Sequence, residues 1–284
     1  VPAAFTLLLH EYLESRGENS ETVLGVPRPS ADPNQEHRVD IEQWEQMLIR
    51  AGEHLDERYI GLRLGEMVNA RHLGLVGHLL WACESFGVVL QRLERYQRLI
   101  FDAIPMSRRD GHDAIEMVWD ISEFRTGPLV GETGFAVMVQ FCRSVMQGEA
   151  HPHSIDFAHP APDDIRPFEA FFRCPVRFNC PEPIIRLRHE LLDRALKRTD
   201  PALEQILEQH AERLLQRLPS QEEVVTQVRK EVAAQLRDGE PDISAICKVL
   251  GYSEHSAFTR AFRKQNGTTP RQLRNQVMAK RDAH

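Results

Sequence analysis

The residues best suited to binding chemistry cluster near the carboxyl end. At a helical period of 3.6, His255, Ser256, Thr259, Arg260 and Arg263 share one face, and Ala257, Phe258, Ala261 and Phe262 share the other. The polar face has the donors that duplex DNA demands. A guanidinium such as that of Arg260 can donate two parallel hydrogen bonds to a guanine edge, and serine, threonine and histidine reach base edges or phosphates. Arg263, Lys264 and Arg271 are spaced for contacts to the phosphate backbone. The bland alternative is a helical hairpin with a solvated face.

Such a face reads a groove only if other elements hold it. Ile243, Ile246, Cys247, Val249 and Leu250 give a short preceding helix an apolar side. Gly251 falls where the chain must turn sharply through a left-handed conformation, and Ser253 or Glu254 can cap the next helix. Two short helices crossing at such a turn make a helix-turn-helix. Charge supports the assignment. From Pro241 to His284 eight Lys/Arg stand against three acids, a balance of +5, while the whole chain carries −7. A basic module on an acidic body fits a local nucleic-acid contact.

Upstream, helical periodicity marks Leu8, Leu9, Tyr12 and Leu13. It recurs at Ile41, Trp44, Met47, Leu48, Ala51 and Leu55 behind a cap at Asp40, with Gln43 three residues on. A third run is Phe86, Val89, Leu90, Leu93, Tyr96 and Ile100, and Gly61, Gly65, Gly74, Gly77 and Gly87 suggest tight packing or breaks between short helices. The period then changes. Ile115, Met117, Trp119 and Ile121 alternate with Glu116, Val118 and Asp120 as in a strand, and Arg108-Arg109-Asp110-Gly111 is expected to turn back to a strand near 101–107. Phe135, Met138, Val139, Cys142 and Val145 read as helix. Short strands are expected at Ile155/Phe157, Val176/Phe178 and Ile185/Leu187, between prolines. Leu203, Ile206, Leu207, His210, Leu214, Leu215 and Leu218 form a stripe that packs internally or serves a dimer. Pro219 stops that helix, Ser220 and Glu223 box the next, and Asp238-Gly239-Glu240-Pro241 breaks the chain.

The expected fold is therefore α+β, helices with a small, mainly antiparallel sheet, followed by an all-α helix-turn-helix domain. The expected organisation is a sensing domain over 1–200, a helical connector over 201–238 and the DNA-binding domain over 239–284.

Residue detail sharpens this. The segment LGYSEHSAFTRAFRKQNGTTPRQLR resembles the second helix-turn-helix of the AraC/XylS family, through Gly251-Tyr252-Ser253, Phe258–Lys264, Gly267, Pro270 and Arg274. The resemblance implies that His255, Ser256, Thr259 and Arg260 enter the major groove. Leu73–Tyr96 and Ile155–Asn179 resemble the "arabinose-binding" N-terminal domain of ornithine-regulator-like and VirS-like members, a label that does not imply arabinose as ligand. The family joins two helix-turn-helix units, and one is found here. LRDGEPDISAICKVL looks like the start of the first unit yet runs at Leu250–Gly251 into what looks like the second. Either a segment has been deleted or a stretch is missing and the numbering closes over it, the second being preferred.

Other clusters carry less. His151, His153 and His159 read as loop histidines rather than metal ligands. His72, His78, Trp81 and Tyr96 are the candidates for a ligand cavity, with Trp119 also weighed, against capping and core roles. The five cysteines lack CxxC spacing and read as structural thiols in a reducing compartment. No P-loop, GxSxG or HExxH motif is present, so no catalytic residue, metal or cofactor is expected. The expected partners are promoter DNA, a small-molecule effector, a second copy as homodimer, and RNA polymerase, with no membrane and a cytoplasmic location. The alternative is a module that dimerises with a full-length regulator and modulates it without binding DNA.

Overall fold

The computed structural model describes residues 1–29, 39–122 and 124–218, together with Thr269 and Gln272. The helix-turn-helix segment with His255, Ser256, Thr259, Arg260, Arg263, Lys264 and Arg271 lies outside the described residues, as do the Leu250–Gly251 junction, Pro219 and the Ser220/Glu223 box. The chain divides into two units, Val1–Leu215 and Gln216–His284.

In the first unit helices come before the sheet. Helix α1 (Ala3–Ser15) buries Leu8, Leu9, Tyr12 and Leu13, and α2 (Ser20–Leu24) follows. Helix α3 (Ile41–Leu55) starts at Asp40, whose carboxylate accepts the Gln43 N–H at 2.6 Å, satisfying one orphan donor of the first turn. Its buried residues Trp44, Met47, Leu48 and Ala51 keep the expected spacing. Helix α4 (Ile60–Met67) leads through a 3₁₀ turn (Ala70–Leu73) into α5 (Gly74–Ala82) and α6 (Phe86–Ile100).

Gly61 and Gly65 are not breaks. They lie inside α4 and let it press on α7 (Pro128–Val145). A Cβ on Gly61 would meet Thr133 Oγ1 at 2.9 Å, and one on Gly65 would meet the Ala136 Cβ at 2.7 Å. Gly74, at φ +58°, is a true break between the 3₁₀ turn and α5.

The sheet runs in the order β1-β2-β5-β3-β4: β1 (Met106–Asp110), β2 (Ala114–Trp119), β5 (Ile184–Arg188), β3 (Ser154–Asp156), β4 (Val176–Arg177). Among the described strands, only the β3–β4 pairing is parallel. The hairpin differs from expectation. Arg108, Arg109 and Asp110 belong to β1, and the chain turns at 111–113, where the Gly111 N–H donates to the Ala114 carbonyl. The physical reason is cross-strand charge. Arg109 stands opposite Glu116 and holds Glu182 through two hydrogen bonds, which keeps it in the ladder.

Register also builds a charged ladder on one sheet face. Arg186 meets Glu116 and Asp156, each at 2.7 Å, and Arg177 grips Asp156 with two bonds at 2.7 and 2.9 Å. The neighbouring residues Ile115, Met117, Ile155, Ile185 and Val176 enter the core. Helix α8 (Arg166–Phe172) lies between β3 and β4 in sequence, burying Phe168 and Phe172.

Helix α9 (Pro201–Arg217) closes the first unit. Its leucine stripe is not uniformly buried. Leu207 and Leu215 pack on the core, whereas Leu203 and Ile206 are 43% and 64% exposed. In the second unit, Thr269 and Gln272 form a reciprocal capping box: each side-chain oxygen accepts the other's backbone N–H, at 3.2 and 3.0 Å.

Candidate functional site

One face of α7 opens onto a cavity of about 400 Å³ in the first unit. Gly131, Gly134, Phe135, Met138, Phe141 and Cys142 line it, positions that recur every three to four residues as one helical stripe requires. A Cβ on Gly131 or Gly134 would meet nothing within 4 Å, so these glycines leave room that any other residue would take up. The remaining walls come from across the sequence. Phe5 of α1, Trp44 of α3, Leu80 of α5, and Leu93 and Ile100 of α6 face it. So do Trp119 at the end of β2, Phe157 after β3, and Pro183 before β5. Trp119, Phe135 and Phe157 pack in series as tilted rings, with centroids 4.6 and 5.1 Å apart.

Polar groups on this wall are few. Among the described residues the only lining side chain with a permanent charge is Arg125, on the loop between β2 and α7 beside Thr126. It is exposed and meets no described acid. His159 lies between the rings of Phe157 and Phe178, at 5.0 and 5.4 Å, with Nδ1 3.0 Å from the Pro160 carbonyl. That contact makes Nδ1 the donor and leaves Nε2 as the acceptor of a neutral ring. Nε2 stands 3.6 Å from the carboxyl of Glu132, which is buried on α7. Burial pushes the Glu132 carboxyl up to about 7 and the His159 imidazolium down, so burial favours the uncharged form of each.

The four cavity candidates read from sequence do not line this cavity. His72 is a capping residue: its Nδ1 accepts the Asn69 N–H at 3.2 Å and its Nε2 lies 2.9 Å from Glu11. His78 is exposed. Trp81 is partly exposed under the Arg198 guanidinium. Tyr96 is buried on α6, with its hydroxyl 3.3 Å from Glu212 of α9. Trp119, weighed from the sequence as a pocket aromatic, does line it, and glycine next to an aromatic on one helix stripe, as at Gly134-Phe135, was the further signal available in the sequence for this wall.

Among the described residues, no group of three or more His, Cys, Asp or Glu could hold a metal, and His151 faces Glu149 rather than the other histidines. Burial raises the thiols of Cys83 and Cys142 to about 12 and that of Cys174 to about 11, so they stay protonated and unreactive. No described helix is long and apolar enough to cross a membrane.

Helix α6 has a second role. While Leu93 and Ile100 face the cavity, its other side holds α9: Arg92 pairs with Glu204 and Glu208 at 3.4 and 2.7 Å, and Arg95 with Glu212 at 2.8 Å.

An α/β unit built around an apolar cavity, followed by a basic segment with helix-turn-helix patterning, is the architecture of a ligand-binding transcription regulator. The model of the arabinose-binding domain of AraC transcription regulators, N-terminal, matches residues 24–196, and a helix-turn-helix domain model matches 206–276. The chain belongs to the AraC family of transcription regulators with an arabinose-binding-type N-terminal domain. It is similar to the ornithine utilization regulator of Pseudomonas aeruginosa, 24% identical over 281 residues that cover 98% of this chain and 82% of that protein. The transcriptional regulator CdpR from Pseudomonas aeruginosa shares the fold, with a TM-score of 0.52 at 18% identity over 94% of this chain and 96% of that one.

Proposed function

We propose that this protein binds promoter DNA sequence-specifically and that a small effector in the cavity of the first unit controls that binding. The observation that carries the reading is the double role of α6. One side walls the cavity, and the other is ion-paired to α9, the helix in which the helix-turn-helix match begins. A ligand that favours one placement of α6 thereby favours one placement of α9, which is a population shift with a physical link.

In this reading residues 1–200 sense, 201–238 connect and 239–284 contact DNA. His255, Ser256, Thr259 and Arg260 read bases, and Arg263, Lys264 and Arg271 hold the backbone. The protein acts in the cytoplasm as a homodimer at promoters read by RNA polymerase, as a regulator rather than an enzyme. The exposed Leu203 and Ile206 on α9 are available to such a dimer.

The test is a gel-shift series on fragments of the neighbouring promoter. Affinity should fall steeply with salt, and Arg260→Ala should cost about 1–3 kcal/mol on the specific site. Unchanged affinity in Arg260→Ala overturns the assignment of the reading helix. Absence of DNA binding at low salt overturns the function.

A further inference from the structure

The cavity specifies what kind of effector it admits. Resting on the sensor reading above, we propose that the effector is an amphipathic monocarboxylate, with its apolar body enclosed by the α7 stripe and the aromatic rings and its carboxylate held at the mouth by Arg125.

The argument begins with the walls. A sugar brings a hydroxyl on nearly every carbon, and each buried hydroxyl left without a partner costs free energy. The wall is mostly aromatic and aliphatic, and its few polar side chains, the indoles of Trp44 and Trp119, Thr126, Arg125 and His159, are too few to partner a hydroxyl on every carbon. A diamino acid brings two ammonium groups. The described acids that stand beside the wall, Glu132 and Glu45, are not lining residues: burial holds Glu132 toward its neutral form, and Glu45 reaches Gly127 at the rim. Size agrees. A volume of about 400 Å³ lies among sites that enclose drug-sized ligands, and a pentose or diamino acid of about ten non-hydrogen atoms would leave much apolar wall uncovered.

The polar end follows from charge. Arg125 is the only permanently charged side chain among the described lining residues, it meets no described acid, and its loop enters α7 at Gly127. A guanidinium free to form a forked pair with a carboxylate at the rim of an apolar cavity selects a molecule with one anionic end.

The experiment uses the full chain and four probes: decanoate, decan-1-ol, arabinose and ornithine, each below any micelle-forming concentration. Calorimetric titration and thermal unfolding report binding, and a parallel gel-shift with and without decanoate reports control of DNA binding. Decanoate should raise the melting temperature and bind about tenfold tighter than decan-1-ol. Arg125→Gln should reduce that ratio to about one while leaving decan-1-ol binding in place. Gly134→Leu should abolish both, and Gly134→Ala, which fills less of the space, serves as its folding control.

Equal affinity for decanoate and decan-1-ol, or an Arg125→Gln protein that keeps the preference, overturns the carboxylate assignment. Binding of arabinose or ornithine without decanoate overturns the effector class and leaves the sensor reading standing. Decanoate binding that leaves the gel-shift unchanged does the reverse: the cavity assignment survives and the sensor reading falls. Failure of all four probes to bind overturns the proposal.

Discussion

The two sides of α7 are packed in opposite ways. Toward α4 the helices are so close that Gly61 and Gly65 have no room for a Cβ, with Thr133 and Ala136 within 3 Å of where it would be. Toward the cavity, glycines again occupy the helix, and there Gly131 and Gly134 face open space. The same residue type serves contact on one side and vacancy on the other. A rigid wall that holds its shape without a ligand is what a binding cavity needs, and the close α4–α7 contact provides it.

The largest effect should come from forcing the tight side apart. Gly65→Val places atoms against Ala136 and the Phe171 ring, and should cost about 3 kcal/mol in denaturant-induced unfolding. A cost below about 1 kcal/mol would mean that α4 and α7 are not so close.

Glu132 tests the border between the two sides. Its carboxyl is raised from 4.5 to about 7, so the folded protein binds a proton that the unfolded chain has released. The stability it contributes is complete below about pH 4.5 and disappears as pH rises through about 7, a change of at most about 3 kcal/mol. Glu132→Gln should flatten that part of the stability–pH profile. An unchanged slope would mean that the carboxyl is not desolvated.

A smaller effect belongs to the link beyond the cavity. Arg95→Ala removes the pair with Glu212, which is partly exposed, and should cost at most about 1 kcal/mol of stability. On the proposed coupling it should weaken the effector's influence on DNA affinity more than it weakens effector binding. The two are separated by gel-shift and titration on the same protein.

The smallest effect has the opposite sign. Gly134→Ala adds a methyl group into space and removes backbone freedom from the unfolded chain, so it should stabilise by about 0.5–1 kcal/mol in thermal or denaturant unfolding. Destabilisation there would remove the contrast between the two sides.

Much of the frame was legible in the sequence. The apolar period of α6 and the Asp40 cap of α3 depend only on residues three or four apart, and they stand as read. The short strands between prolines also stand. The hairpin turn was misplaced because Arg108, Arg109 and Asp110 look like turn residues locally, whereas Glu116 and Glu182, remote in sequence, hold Arg109 in a strand. Four of the cavity candidates lie away from this cavity for the same reason, while Trp119, also weighed from the sequence, lines it. His72 and Tyr96 look poised beside a pocket, but their partners Glu11 and Glu212 lie 61 and 116 residues away.

The amino-acid order alone determined the helical and strand periods, the caps, the basic carboxyl segment and the resemblance to AraC-type regulators, since each rests on short-range spacing. The tertiary structure decided that one stripe of α7 borders empty space while the next meets α4, and that α6 joins the cavity to α9. The reason is geometric. A void has walls drawn from Phe5 to Pro183, and no local pattern records which of two equally apolar helix faces will find a neighbour to fill it.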